Sequence, residues 1–362
     1  MKKVLLIALA SVAVVALLLW QKPDLVVKLT FPPLPTLADT RDSLSEQDQG
    51  WLRFPSKTPY DLDVLLNDPG MGADAAGAGT LHLPEQASAD SPVPLMIVIH
   101  GSGGISPGRE ESYVELLNSQ GIGAFVLDYY TPRAVEGDVP YMTKVLGVTE
   151  FDVISDAYHA LTLLRTHPAI DDDRIGMMGM SYGGMATRFA MDSRIKQKLI
   201  GDQPGFKLYI DVYGPCFQNL QSEAIEPGPL LTLRGTEDAS NELSACAKRE
   251  DEIRAQGNIV ETVVYEGAGH AWENDAKRLM KEDAPYVVGC EMRYSTEGLP
   301  YVGDQAVIAL PADASREQRI VSRMRSSSVL QDCVQYGYIM GEDEATQAKA
   351  NQRILRFLDQ YL

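Results

Sequence analysis

The pentapeptide Gly179-Met180-Ser181-Tyr182-Gly183 stands between two segments of different periodicity. Before it, Arg174–Met180 reads as a short strand, apolar over Ile175–Met178. After it, Tyr182–Lys196 reads as a helix, with Ala186, Phe189 and Ala190 at helical spacing. A strand that runs straight into a helix leaves no room for side chains beside the apex residue, which is why glycines flank it. The turn pushes the serine hydroxyl out of the sheet, and the helix N-terminus behind it favours developing negative charge.

The surrounding chain repeats the same alternation. Pro94–His100, Ala124–Tyr129, Leu208–Tyr213, Leu230–Arg234 and Val260–Tyr265 are short apolar runs with strand character. Glu110–Gln120, Thr149–Arg165, Asn241–Gln256 and Glu344–Tyr361 have helical spacing. Strands alternating with helices imply βαβ units, hence an α/β fold with a mostly parallel central sheet covered by helices on both faces. Two segments stand outside this rhythm. Residues 23–90 read as a proline-rich tether and an N-terminal arm; Asp61–Asn67 and Thr80–Leu83 are strand-like, with a loose Gly/Ala-rich loop over Gly70–Gly79 between them. Residues 91–362 are expected to form the main domain, with 282–341 inserted before the last helix as a lid or rim.

A serine hydroxyl is a weak nucleophile and needs a base. The chain has 5 histidines. His159 and His167 belong to a helix and its end, and His82 to the arm, so all three read as structural. His270 follows a strand in the glycine loop Glu266-Gly267-Ala268-Gly269, where an imidazole can be presented at the carboxyl edge of the sheet. The orienting carboxylate is expected from Gly235-Thr236-Glu237-Asp238, just past the preceding strand: Asp238 first, with Glu237 as its close rival. The chain order Ser181, Asp238, His270 is the nucleophile–acid–base order of α/β-hydrolases and differs from the chymotrypsin and subtilisin orders. An oxyanion needs two N–H donors. The backbone N–H of Tyr182 is one; the second is expected from the loop His100-Gly101-Ser102-Gly103-Gly104, at Ser102 or its rival Gly103. His100 itself reads as a hydrogen-bonding structural residue.

These residues resemble the dienelactone hydrolase family, through VIHGSGG at 98–104, LDYYTPR at 127–133, RIGMMGMSYGG at 174–184, GTEDAS at 235–240 and YEGAGHAWE at 265–273. The resemblance implies an α/β-hydrolase fold and a triad of Ser181, Asp238 and His270. Dienelactone hydrolases proper carry a cysteine nucleophile, and an acidic residue where this chain has Gly101; Ser181 and Gly101 look like the broader esterase branch. Arg133 lies on the loop after the second strand of this region and can either bind a substrate carboxylate or pair structurally with Asp128. The expected reaction is hydrolysis of a small-molecule carboxylic ester or lactone through an acyl-enzyme, with no metal and no organic cofactor. A peptidase or thioesterase would use the same triad, and a non-catalytic envelope binding protein could share the fold.

Two further features bear on setting. Met1-Lys2-Lys3 precedes an uncharged, mostly apolar run from Val4 to Trp20, the pattern of an export signal or an anchor helix within residues 1–22. Its end lacks small residues at A-x-A spacing, which favours an uncleaved anchor in the cytoplasmic membrane, with the remainder on the periplasmic or extracellular side. The 4 cysteines, Cys216, Cys246, Cys290 and Cys333, have no C-x-x-C spacing, so zinc binding is not suggested. Cys216–Cys246 and Cys290–Cys333 each close a modest local loop and are the expected disulfides, free thiols being the alternative. A net charge of −18 opposes contact with phosphate backbones, which argues against nucleic acid as a partner.

Overall fold

The computed structural model describes residues 23–106, 108–135, 137, 139–307, 310–311, 313–326 and 329–362. Eight strands form one sheet: β1 (Gly50–Thr58), β2 (Ala73–His82), β3 (Val93–Ile99), β4 (Gly123–Leu127), β5 (Ile170–Met180), β6 (Tyr209–Val212), β7 (Leu230–Gly235) and β8 (Val260–Tyr265). Their order is β1-β2-β4-β3-β5-β6-β7-β8. Strands β3 to β8 pair in parallel with their neighbours, and β2 runs antiparallel to both β1 and β4. This is the α/β-hydrolase fold expected from the sequence. The helices in chain order are α1 (Pro23–Thr30), α2 (Leu62–Asn67), α3 (Arg109–Asn118), α4 (Tyr141–Gly147), α5 (Glu150–Leu164), α6 (Tyr182–Phe189), α7 (Ser193–Ile200), α8 (Leu243–Ala255), α9 (Arg316–Ser326) and α10 (Glu344–Tyr361).

Apolar residues on both sides of the strands explain their burial. Leu95, Ile97 and Ile99 of β3 join one core cluster, and Met96 and Val98 join the other. Helix α5 begins with a capping box: the Thr149 side chain accepts from Asp152 N–H, and the Asp152 side chain accepts from Thr149 N–H. Its buried face includes Phe151, Ile154, Tyr158 and Leu161. Helix α10 buries Ala350, Ile354, Phe357 and Leu358 against the opposite face.

Four local expectations change. The stretch 70–79, read as a loop, supplies most of β2. Its small residues are required because Phe54 and Phe125 lie on it: a Cβ at Gly77 would come within 2.2 Å of the Phe54 ring. Residues 50–58, read as part of the arm, pair along their whole length with β2. Asp61–Asn67, read as strand-like, is the helix α2 with Asp61 as its N-cap; Asp61 and Asp63 both accept from Arg319 of α9. The helix after Ser181 ends at Phe189, and a second one, α7, starts at Ser193, capped by the Asp192 side chain, which accepts from Arg194 N–H.

Residues 282–341 contain more order than their sequence suggests. β9 (Leu279–Val287) and β10 (Val334–Met340) pair antiparallel outside the main sheet. The Cys290–Cys333 disulfide closes the end of this pair, and Cys216–Cys246 ties the loop after β6 to α8, so both expected bridges are present. Val27 and Phe31, at the start of the chain's described part, pack with Tyr60 and with Ile320 and Val321 of α9. The apolar run Val4–Trp20 lies outside the described residues. Among the described residues no helix is long and apolar enough to cross a membrane.

Candidate active site

The sheet order reverses between β3 and β5, so the loops leaving their carboxyl ends diverge and open a crevice. Ser181 sits at the tip of β5 with φ 54° and ψ −116°, a left-handed backbone held by the turn. The glycines around it are sterically required. A Cβ at Gly179 would lie 2.2 Å from the Gly183 carbonyl carbon, and one at Gly183 would lie 2.4 Å from the Ile99 oxygen.

His270 Nε2 is 2.9 Å from Ser181 Oγ, and His270 Nδ1 is 2.6 Å from Asp238 Oδ2. The imidazole thus joins a hydroxyl and a carboxylate that lie far apart in the chain. Asp238 is buried and accepts further hydrogen bonds from Asn241 Nδ2 at 2.9 Å, Ser240 N–H at 3.1 Å and Ser240 Oγ at 2.5 Å. Asn241 is itself fixed by Arg234 Nη1 at 2.9 Å, and its amide also donates to the Tyr213 carbonyl at 2.8 Å. The rival carboxylate, Glu237, points outward and pairs with Arg278 at 2.6 Å.

The loop after β3 is braced from behind. The Tyr129 hydroxyl donates to the carbonyls of His100 and Gly101, and the Tyr130 hydroxyl to that of Ser102. A trans peptide directs its C=O and the following N–H to opposite sides, so these bonds turn the N–H groups of Ser102 and Gly103 away from the tyrosines. Gly101 approaches Ser181 closely: a Cβ there would lie 3.2 Å from Ser181 Cβ. The Tyr182 N–H belongs to the first turn of α6, where backbone donors have no intrahelical partner. His100 is structural, as expected: it is buried, its Nδ1 donates to Gly101 O at 2.7 Å, and its ring stacks on Tyr129. Burial pushes its imidazole down to about 4.

Arg133 does not reach this crevice. It is fully buried and pairs with Asp156 through two bonds of 2.5 and 3.0 Å, and Ser56 also donates to Asp156. Of the two roles open to Arg133, substrate binding is corrected and the structural one fits this burial, with Asp156 and not Asp128 as the partner. Asp128 is occupied in capping the backbone N–H groups of Tyr130 and Thr131 and the Thr131 hydroxyl. The guanidinium is enclosed, and its two terminal nitrogens are taken up by Asp156 and the Tyr129 carbonyl.

A cavity of about 410 Å³ opens over Ser181 and His270. One bank carries Ser102, Ser106 and Arg109; another carries Pro285, Tyr338 and Met340 from β9 and β10. Residues of the inserted segment thus line this cavity. Sequence reasoning missed Tyr213, whose ring packs on His270 with centroids 4.5 Å apart and whose hydroxyl donates to Glu273. Burial pushes the Glu273 carboxyl up to about 7, with Arg109 opposing. Tyr213 ends a recognisable strand and Glu273 ends the segment around His270, so proximity in sequence to those elements was the available signal; Tyr338 had none. Among the described residues, no cluster of His, Cys, Asp and Glu could hold a metal ion.

The chain is 26% identical over 219 residues to the Bacillus subtilis protein YtaP, which carries a hydrolase name, covering 50% of this chain and 70% of that relative. It is 24% identical over 184 residues to a Bradyrhizobium protein named as a 2-oxo-3-(5-oxofuran-2-ylidene)propanoate lactonase, covering 50% and 73%. A solved structure from Klebsiella pneumoniae, named as a dienelactone hydrolase, aligns with a TM-score of 0.44 at 21% identity over 61% of this chain and 88% of that one. The family model described as "Dienelactone hydrolase family" matches residues 78–293, a span that runs from β2 past the His270 loop, and the chain belongs to that family.

Proposed function

We propose that the protein is a serine hydrolase that cleaves a carboxylic ester or lactone through an acyl-enzyme. The observation that carries this reading is the continuous hydrogen-bond chain from Ser181 Oγ through both nitrogens of His270 to Asp238, at 2.9 and 2.6 Å. Ser181 Oγ attacks the carbonyl carbon while His270 Nε2 takes its proton. Asp238 holds Nδ1–H, fixing the tautomer and stabilising the imidazolium. The N–H groups of Tyr182 and Ser102 donate hydrogen bonds to the developing oxyanion, a contribution of about 3 kcal/mol per donor in related sites. As the intermediate collapses, the C–O bond breaks and His270 returns its proton to the leaving oxygen. Water then attacks the acyl-enzyme with His270 again as base, releasing the acid and restoring Ser181. In a lactone the leaving alcohol stays tethered to the acid. The two disulfides support an exported setting, since such bonds persist in oxidising compartments.

A fluorophosphonate probe tests the assignment. It should label the full-length protein once, and Ser181→Ala should abolish labelling. Labelling that persists in Ser181→Ala would sink the nucleophile. A panel of short esters, lactones, thioesters and peptides at matched concentration then separates ester hydrolysis from thioesterase or peptidase activity.

A further inference from the structure

Tyr338 stands on β10, paired across the ladder with Lys281 of β9, on a segment inserted between the His270 loop and the last helix. Its ring meets the His270 imidazole edge-on, with centroids 5.3 Å apart and planes at 73°. Tyr286 of β9 packs against Tyr338 in the same T-shaped manner at 6.0 Å, so the ring is held from behind. Tyr213 contacts the imidazole as well, and Tyr213, Tyr338, Pro285 and Met340 all line the cavity that contains Ser181. At the mouth, Lys281 and Asp283 sit 3.5 Å apart and largely cancel each other's charge. The hydroxyl-bearing and cationic residues Ser102, Ser106 and Arg109 belong to the bank formed by the loop after β3.

The two banks differ in what they would face. His270 must deliver its proton to the leaving oxygen, which has to lie within hydrogen-bond reach of Nε2. The substituent on that oxygen therefore extends along the walls beside the imidazole, which carry the rings of Tyr213 and Tyr338. We propose that the leaving-group side of the cleft is an aromatic subsite in which Tyr338 selects esters whose alcohol carries an aromatic ring. The proposal rests on the serine-hydrolase reading above. A saturated ring would bury nearly the same area there, but it lacks the quadrupole that makes edge-to-face and offset contacts with tyrosine favourable. Burial also raises the Tyr338 hydroxyl above its ordinary ionisation range, so the ring stays neutral at working pH.

The test compares kcat/KM for benzyl acetate and cyclohexylmethyl acetate with the full-length protein, with Tyr338→Leu and with Tyr338→Phe. The acyl group and leaving-group chemistry are closely matched, so the ratio reads the ring. The wild type should favour the benzyl ester by roughly 3- to 10-fold. Tyr338→Leu should bring the ratio close to one, and Tyr338→Phe should keep the preference. A wild-type ratio at or below one overturns the aromatic subsite, as does a preference that survives in Tyr338→Leu. Turnover of both esters without ring preference leaves the hydrolase reading standing and removes only the subsite. No turnover of either ester, together with no fluorophosphonate label on Ser181, overturns both.

Discussion

His270 and Met340 form a parallel β-bridge. The His270 N–H donates to the Ile339 carbonyl at 2.7 Å, and the Gly341 N–H donates back to the His270 carbonyl at 2.9 Å. The histidine expected to act as base is therefore held by a strand of the inserted segment as well as by its own loop. The insertion does more than border the cleft: it sets the backbone position from which the imidazole reaches Ser181 and Asp238.

That relationship makes the Cys290–Cys333 bridge relevant to activity. The bridge joins residues 43 apart and closes the ladder at the end away from His270. A loop of that size corresponds to about 4 kcal/mol of stabilisation in the chain-entropy view. The double variant Cys290→Ser/Cys333→Ser should lower stability by roughly 2–4 kcal/mol in urea titration. It should also lower kcat several-fold at a temperature where circular dichroism shows the sheet intact. Unchanged kcat in the folded variant would mean that the main domain alone positions His270.

Asp238→Asn keeps the shape of the acid and removes its charge. Asn241 and Ser240 still bracket the site, so the fold should survive. Without the carboxylate, His270 loses its tautomer control and the partner of its positive form, and kcat should fall by about 10⁴ with KM little altered. Initial rates on a short activated ester check this. Glu237→Gln is the matched control and should change kcat less than twofold, because Glu237 faces Arg278 at the surface.

Arg133→Met tests a structural role. The substitution leaves the fully buried Asp156 with only its serine partner. Breaking one side of a buried pair costs on the order of 3–5 kcal/mol. Urea titration should show a loss of that size, while the fraction that remains folded keeps its KM. A selective rise in KM at unchanged stability would instead place Arg133 in contact with substrate.

Glu273 links stability to pH. Its carboxyl is raised to about 7 by burial, above its ordinary value of 4.5, so the folded protein holds this proton more tightly than the unfolded chain. Stability from the neutral form is fully present below pH 4.5 and is lost as pH rises through 7. The Tyr213 hydroxyl, which donates to this carboxyl, favours the ionised form and moderates the loss. Relative to wild type, Glu273→Gln should gain on the order of 2 kcal/mol between pH 4.5 and pH 8, read from urea midpoints across that range. Parallel curves for the two proteins would show that Glu273 titrates as an ordinary carboxylate.

The central architecture was legible because it is written in local periodicity. Runs such as Leu95–Ile99 and Ile175–Met178 are apolar on both faces, and only a sheet covered on two sides buries them. The elbow at Ser181 and the glycine loop before His270 are backbone requirements, and glycine spacing records them directly. Strand β2 was illegible because its glycines answer to the rings of Phe54 and Phe125, which come from other strands. The partner of Arg133 was illegible for a related reason: several nearby carboxylates were compatible with it, and only packing brought Asp156 alongside.

By itself, the sequence determined the fold class, the serine at the elbow, the histidine of the glycine loop and the order in which they occur, since each follows from residue type and spacing along a single stretch of chain. The tertiary structure decided which carboxylate turns inward, what holds His270 and what lines the cleft. Those depend on where segments distant in sequence come to rest, as with Tyr338 beside His270, and contacts of that kind leave no periodic signal in the chain.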